Sequence, residues 1–286
     1  MADCCRLASM AGCLYASAMP YATLKLELER FASDGVEGEL ATLTLNRPEK
    51  RNAISMAMIE ELLAAFDEAE SSPARIVILT GAGKAFCSGM DLDALRAISA
   101  QSVEQNLEDS RRMARLFRRL YSFPKPVIAA VNGHAIAGGC GLATLADFTL
   151  AVPEAKFGYT EVRVGFIAAI VSVFLVRQIG EKRARDLLLS GRILDAEEAH
   201  QLGLVTAVVP GEKLLDCARE LAGSLLASSP TSLLHTKQLL RQFTEDDLNR
   251  ELELAVRENA AIRSTADFQE GVAAFLEKRT PKWQGN

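Results

Sequence analysis

The chain has 286 residues, 49% hydrophobic and 24% charged, with a formal net charge of -5. That composition can bury a large core and excludes a disordered or fibrous polymer, while the mild acidity and scattered cations argue against nucleic acid as a partner. No apolar run is long enough to span a membrane.

In chain order, residues 1–20 are small and weakly apolar, with Arg6 as the only cation. They fit neither a secretory signal nor a domain and read as a disordered extension, with Met19 as an alternative start. Residues 41–45 alternate like a strand and end at Arg47-Pro48. Ile59, Leu62, Leu63 and Phe66 then fall at helical spacing behind Ser55, a candidate N-cap. Strands are expected at residues 76–80, 127–131 and 148–152, each apolar enough to be covered on both faces. The first runs into a glycine-bearing loop, AGKAFCSGMDL (residues 82–92), and residues 93–120 could form a lid. The second runs through Asn132-Gly133 to Gly138-Gly139, with a helix expected to begin within residues 142–145. Asp91, Asn132 and Asp147 read as residues that satisfy backbone at turns and helix ends. Asp195 and Glu198 read as a capping box, Gly203 as the stop of that helix, and residues 231–282 as helical with apolar stripes. The pattern is α/β.

Where a glycine-rich strand end opens a helix, unpaired amides and the helix dipole suit an oxygen that gains negative charge during a reaction. A glycine pair is also compatible with a plain tight turn, but two such strand ends, at residues 88–91 and 137–140, allow two amides to act on one oxygen. Other chemistries fit less well. The six cysteines, Cys4, Cys5, Cys13, Cys87, Cys140 and Cys217, follow neither a disulfide framework nor a zinc spacing and read as reduced thiols of a cytoplasmic protein. His134, His200 and His235 include no ligand-spaced pair. A thiol enzyme using Cys140 and His134 competes with the reading of Cys140 as a buried, inert side chain.

Five ordered motifs, LNRPEKRNA (residues 45–53), KAFCSGMDL (84–92), AVNGHAIAGG (130–139), FGYTEVRVGF (157–166) and EGVAAFLEKRTPKW (270–283), resemble the enoyl-CoA hydratase/isomerase, or crotonase, family. The resemblance covers nearly everything after Tyr21. It implies a spiral of β-β-α units over residues 21–229 and a helical C-terminal oligomerisation segment over residues 230–286, building homotrimers or hexamers. It also implies an acyl-CoA substrate, with CoA as part of the thioester and no separate cofactor. The amides of Met90 and Gly138 would form an oxyanion hole, and Glu161 would stand at the position of the family's second catalytic glutamate. On the residues alone, a surface carboxylate paired with Arg163 is the favoured reading of Glu161, and the resemblance reverses it. Lys50, Arg51, the backbone of Ala53, and Lys278 with Arg279 would hold the CoA; a solvated turn after Pro48 is the alternative for the first three.

The departure is Gly141, where hydratases of the typical pattern carry the first catalytic glutamate. A lone glutamate suffices to shift a double bond from C3 to C2, which favours an isomerase. The stretch TEVRVGFIAAIVSVFL with a glycine at 141 resembles instead a bacterial branch assigned to methylglutaconyl-CoA-type hydratases, in which the vacated space could hold a water. Hydration of a short or branched 2-enoyl-CoA in fatty acid metabolism is the leading expectation, double-bond isomerisation the alternative, and a non-catalytic CoA-binding scaffold the third.

Overall fold

Positive φ at Asp34 and Gly35 (50° and 79°) turns the chain tightly between β2 (Leu24–Ser33) and β3 (Val36–Leu45), a hairpin of which only the end of β3 was legible as a strand. The computed structural model describes residues 14–16, 21–98 and 101–285. Of the N-terminal extension only β1 (Leu14–Ala16) is described, as an antiparallel edge strand on β2; the expectation for its other residues lies outside the described ones.

Ser55 caps α1 (Met56–Ser71) by accepting a hydrogen bond from the Met58 amide, as expected, and Met58, Ile59, Leu62, Ala65, Phe66 and Ala69 form its buried face. The chain then repeats one unit three times. Each turn places a strand in a large sheet, crosses to a strand in a small sheet, and returns through helix. The first is β4 (Ile76–Gly81), β5 (Ala85–Cys87), α2 (Leu92–Ile98) and α3 (Val103–Tyr121). The second is β6 (Val127–Val131), β7 (His134–Ile136) and α4 (Gly138–Thr144). The third is β8 (Phe148–Ala151), β9 (Lys156–Gly158), α5 (Ala169–Ile179) and α6 (Glu181–Ser190). Successive turns stack in parallel, so β4, β6 and β8 are neighbours in one sheet and β5, β7 and β9 in the other. Every residue of β6 and the first five of β4 are buried, the covering on both faces that their unbroken apolar runs imply.

β10 (Leu194–Asp195) completes the small sheet and β11 (Ala207–Val208) the large one, the latter being the only strand within the apolar residues 204–209. Asp195 caps α7 (Ala196–Leu202), which Gly203 ends in the left-handed conformation; Glu198 turns to Arg192 instead of closing a reciprocal capping box. After α8 (Leu214–Leu226), the helices α9 (Pro230–Gln242), α10 (Glu245–Ala261) and α11 (Ala266–Glu277) match the helical expectation for residues 231–282. α10 packs along α3 and α5, and its Leu248, Leu252, Ala255 and Val256 join the same core as the sheets. α9 buries none of its side chains.

Candidate active site

Pairing in the small sheet brings three loop starts to one end. Cys87 of β5 stands beside Ala135 of β7, and Ala135 beside Phe157 of β9. Met90, Gly138 and Glu161 follow those residues by three, three and four positions, so all three leave the carboxyl ends of adjacent parallel strands, where α/β folds place ligands.

At Met90 the loop forms a bridge to Ile54. The Ile54 amide donates to Gly89 O (2.7 Å) and the Asp91 amide to Ile54 O (2.9 Å), which leaves the Met90 amide on the opposite side with no acceptor among the described residues. Asp91 locks the loop by an ion pair with Arg47 (2.7 Å) at a buried position. Gly138 is the first residue of α4, a helix that starts earlier than residues 142–145. The Cys140 and Gly141 amides both reach back to Ala137 O, and the Gly138 amide has no acceptor among the described residues. Its direction is set by Ala137, held at φ 52°, ψ -126°, a conformation alanine rarely adopts. The Ala137 amide donates to Gly158 O (2.7 Å), and Gly139 packs so tightly on the Cys87 carbonyl that a Cβ would lie 2.3 Å from its oxygen. Close backbone approach thus explains Gly139 of the pair, while a Cβ at Gly138 would meet the Ile54 side chain at 3.2 Å.

Glu161 opens a 3₁₀ turn, Glu161–Val164, pinned by the Phe166 amide to Glu161 O (3.0 Å) and by α11, whose Asp267 carbonyl and Gly271 lie against Gly165 and Val164. The residue as a whole is half-buried, yet carboxylate Oε2 is buried without a hydrogen-bond partner among the described residues. Burial, only partly offset by a backbone hydrogen bond, raises the carboxyl to about 7. Arg163 is exposed and makes no ion pair with it, so the surface-pair alternative does not hold among the described residues. The Glu161 charge adds to the upward push on Cys140 of α4 and on Tyr159. Burial pushes the Cys87 and Cys140 thiols up to about 12, which makes them inert at neutral pH, and His134 is exposed.

The space at Gly141 is filled. A Cβ there would meet Val171 Cγ1 at 2.6 Å and Phe117 Cζ at 3.2 Å, so the vacancy expected to hold a water is occupied by two apolar side chains. Phe117 comes from α3, whose helical course, with α2, replaces the undefined lid expected over residues 93–120. Ala53 is buried, its amide bonded to Lys50 O and its carbonyl to the Arg47 guanidinium. Lys50 and Arg51 are exposed, Lys50 3.4 Å from Asp93 of α2, and α11 packs on the same short helix. Lys278 is exposed at the end of α11, whereas Arg279 is engaged by Glu270 and Glu277. Asn132 and Asp147 have the structural roles expected, Asn132 bridging Gly81 and Gly83 and Asp147 holding the Val127 amide and Lys237.

From Glu161 and Tyr159 a cavity of about 500 Å³ opens between α5, α6 and α10, lined mainly by apolar side chains including Phe166, Ala169, Val173 and Leu254. Neither Phe117 nor α10 was legible as part of a site. Behind Phe166 stands another unforeseen residue, buried Arg263, 5.7 Å from the ring and bonded to Asn106 and Asn259.

Residues 35–286 match the family model described as enoyl-CoA hydratase/isomerase. The chain belongs to the enoyl-CoA hydratase/isomerase family and is an acyl-CoA enzyme of the crotonase fold. It is 47% identical over 248 residues to a Thermus thermophilus protein provisionally named an enoyl-CoA hydratase, an alignment covering 86% of this chain and 98% of that one. It is 36% identical to the 2,3-dehydroadipyl-CoA hydratase of Escherichia coli, covering 85% and 94%. A crystal structure of an enoyl-CoA hydratase from Mycobacterium avium subsp. paratuberculosis superposes with a TM-score of 0.78 at 27% identity, covering 93% and 100%.

Proposed function

We propose that the chain hydrates 2-enoyl-CoA thioesters, with the Met90 and Gly138 amides as the oxyanion hole and Glu161 as the only general acid and base. The observation that carries this reading is the Glu161 carboxyl, its Oε2 buried without a partner among the described residues and its pKa raised to about 7, in the turn after β9, the strand beside β7 and its Gly138 turn. A carboxyl raised that far is present in both protonation states at neutral pH, the condition for a group that must both take and give a proton. Water attacks C3 as Glu161 takes its proton, and the π electrons pass to the thioester oxygen between the two amides. The enolate then collapses and C2 receives the proton from Glu161. A single carboxyl serving both steps adds hydrogen and hydroxyl to the same face. The names of the relatives support hydration.

CoA arrives with the substrate, so the reaction uses no separate cofactor. We assign Lys50, Arg51 and Lys278 to its phosphates and the Ala53 backbone to adenine; the carbonyl of Ala53 shares its lone pairs with Arg47. Leu239, Leu240 and Phe243 on and beside α9 are more than half exposed, with no core of their own chain beneath them, and we assign residues 230–286 to a homotrimer or hexamer interface. No helix among the described residues is long and apolar enough to cross a membrane. We assign the protein to the cytoplasm and to fatty acid metabolism.

One observation favours a second reading, 3-enoyl-CoA to 2-enoyl-CoA isomerisation. Phe117 and Val171 close the position at which a second carboxylate would orient water, while moving a proton from C2 to C4 needs Glu161 alone. Incubation with crotonyl-CoA, 3-methylglutaconyl-CoA and 3-hexenoyl-CoA in deuterated water, followed by mass spectrometry, separates the readings. Addition of water to the 2-enoyl substrates is expected. Migration of the 3-hexenoyl double bond without water addition would make the chain an isomerase, and CoA binding with no turnover or C2 exchange would make it a scaffold.

A further inference from the structure

We propose that Arg47 is a positioning residue of the oxyanion hole, which ties down and polarises the Met90 amide through two consecutive peptide groups. The role rests on the reading of the Met90 and Gly138 amides as the donors to the thioester oxygen. One guanidinium arm, Nη1, donates to Ala53 O at 2.7 Å. That carbonyl and the Ile54 amide are the two poles of one peptide plane, and the Ile54 amide donates to Gly89 O at 2.7 Å. Gly89 O and the Met90 amide are in turn the poles of the next plane, and a trans peptide aims them in opposite directions. A cation at one end therefore draws electrons along both planes and leaves the Met90 hydrogen more positive at the other. The Gly138 amide is backed only by neutral donors, the Cys140 and Gly141 amides on Ala137 O.

Ala53, Ile54 and Asp91 are buried, so water neither competes for these groups nor screens the charge. The second guanidinium arm, Nη2, meets Asp91 at 2.7 Å. Burial by itself would raise the Asp91 carboxyl, but the Asp93 amide, 2.9 Å from Oδ1, and Arg47 more than offset it and hold the group below the ordinary carboxylate range. Asp91 follows Met90 directly, so its carboxylate would oppose negative charge on the substrate oxygen if Arg47 did not neutralise it. Both arms thus act in one direction, the first adding positive potential at the Met90 amide and the second cancelling a negative charge beside it. The restraint matters at this loop because Gly89, at φ 91°, has no side chain to fix the plane it shares with Met90. The turn that carries Arg47 is held without the guanidinium. The Arg47 amide donates to Asn52 Oδ1 at 2.8 Å, the Asn52 amide to Arg47 O at 2.9 Å, and Asn52 Nδ2 to the carbonyls of Ala82 and Ala85. Replacing the Arg47 side chain therefore leaves the backbone of residues 47–53 in place.

Two variants separate charge from shape. Arg47→Met with Asp91→Asn removes the cation and leaves no buried charge unpaired, whereas Arg47→Lys keeps a cation that can donate to the same two oxygens. The first readout is the infrared carbonyl stretch of hexanoyl-CoA, labelled with carbon-13 at C1 and bound to the intact protein. It requires no turnover and reports the pull of the two amides on the thioester oxygen. The wild type is expected to lower the stretch relative to water, the double variant to lose about a quarter of that shift, and Arg47→Lys to keep most of it. The second readout is hydration of crotonyl-CoA. In the double variant kcat is expected to fall about tenfold with KM within about threefold, and in Arg47→Lys kcat stays within about threefold of the wild type. Affinity for CoA itself, by calorimetry, is expected to be unchanged in both. A double variant with the wild-type stretch, or an Arg47→Lys protein as impaired as the double variant, would overturn the role of Arg47 and leave the oxyanion hole standing. Loss of CoA affinity in the double variant would likewise overturn it and make Arg47 a support of the CoA turn. Absence of any downshift in the wild type would overturn the oxyanion hole itself, and the role of Arg47 with it.

Discussion

The carboxyl ends of the two sheets carry similar turns but treat their polar groups in opposite ways. In the large sheet, Asn132 bridges Gly81 and Gly83, and fully buried Asn52 accepts from Arg47 and donates to Ala82 and Ala85. In the small sheet, the Met90 and Gly138 amides and Glu161 Oε2 have no partner among the described residues, and Ala137 is held at positive φ beside Gly138. Satisfied polar groups hold a turn in place, whereas unsatisfied ones keep their interaction energy for a ligand. The large sheet therefore acts as the support, and the small sheet carries the chemistry.

The sharpest break in that comparison is Glu161→Gln. It keeps the side chain's shape but cannot accept and return a proton, so turnover is expected to fall about 10³-fold with the fold unchanged by circular dichroism. Gly141→Glu, which restores the carboxylate typical of the family, is expected to destabilise the protein by about 3 kcal/mol or more in denaturant unfolding, because it drives a charge into Val171 and Phe117. Adding Val171→Ala should recover part of that loss. A Gly141→Glu protein of normal stability would mean that the apolar plug is not there.

Glu161 also ties stability to pH. Its folded value of about 7 lies above the ordinary 4.5, so between those pH values the unfolded chain releases a proton that the folded chain keeps. Stability is therefore greatest below pH 4.5 as far as this group is concerned and declines as pH rises to 7, by up to about 3 kcal/mol. Glu161→Gln should remove that slope and be the more stable protein at pH 8, as unfolding at several pH values would reveal. Smaller effects are expected at the surface and in the backbone. Reversing charge at Lys50 and Arg51 together should weaken CoA binding about tenfold at low salt and less at high salt, measured by titration. Ala137→Gly relieves positive φ at the cost of a more flexible unfolded chain, for a net gain of about 1 kcal/mol in thermal unfolding.

What could be read in advance follows from the range of each interaction. Strands β4, β6 and β8 of the large sheet, the Ser55 cap and the Gly203 stop depend on neighbours in sequence, and they stand where apolar runs and capping residues put them. The strand ends that carry Met90 and Gly138 were legible from their glycines, but the individual amides and Glu161 only through the resemblance, since nothing local to Glu161 distinguishes a buried carboxyl from an exposed one. The plug at Gly141 was not legible, because Phe117 and Val171 arrive from α3 and α5 through packing alone. Nor was the early start of α4, since alanine at 137 gives no sign of the positive φ that turns the chain into the helix. The cavity that opens from Glu161 depends on α10, whose course along α3 and α5 is a tertiary fact.

The most direct test of the central claim is exchange of the C2 proton of hexanoyl-CoA in deuterated water, followed by mass spectrometry across pH for the wild type and Glu161→Gln. The account predicts exchange in the wild type that rises with pH through an inflection near 7, and its loss in the variant at every pH. Exchange that survives Glu161→Gln, or an inflection near the ordinary carboxylate value of 4.5, would contradict it.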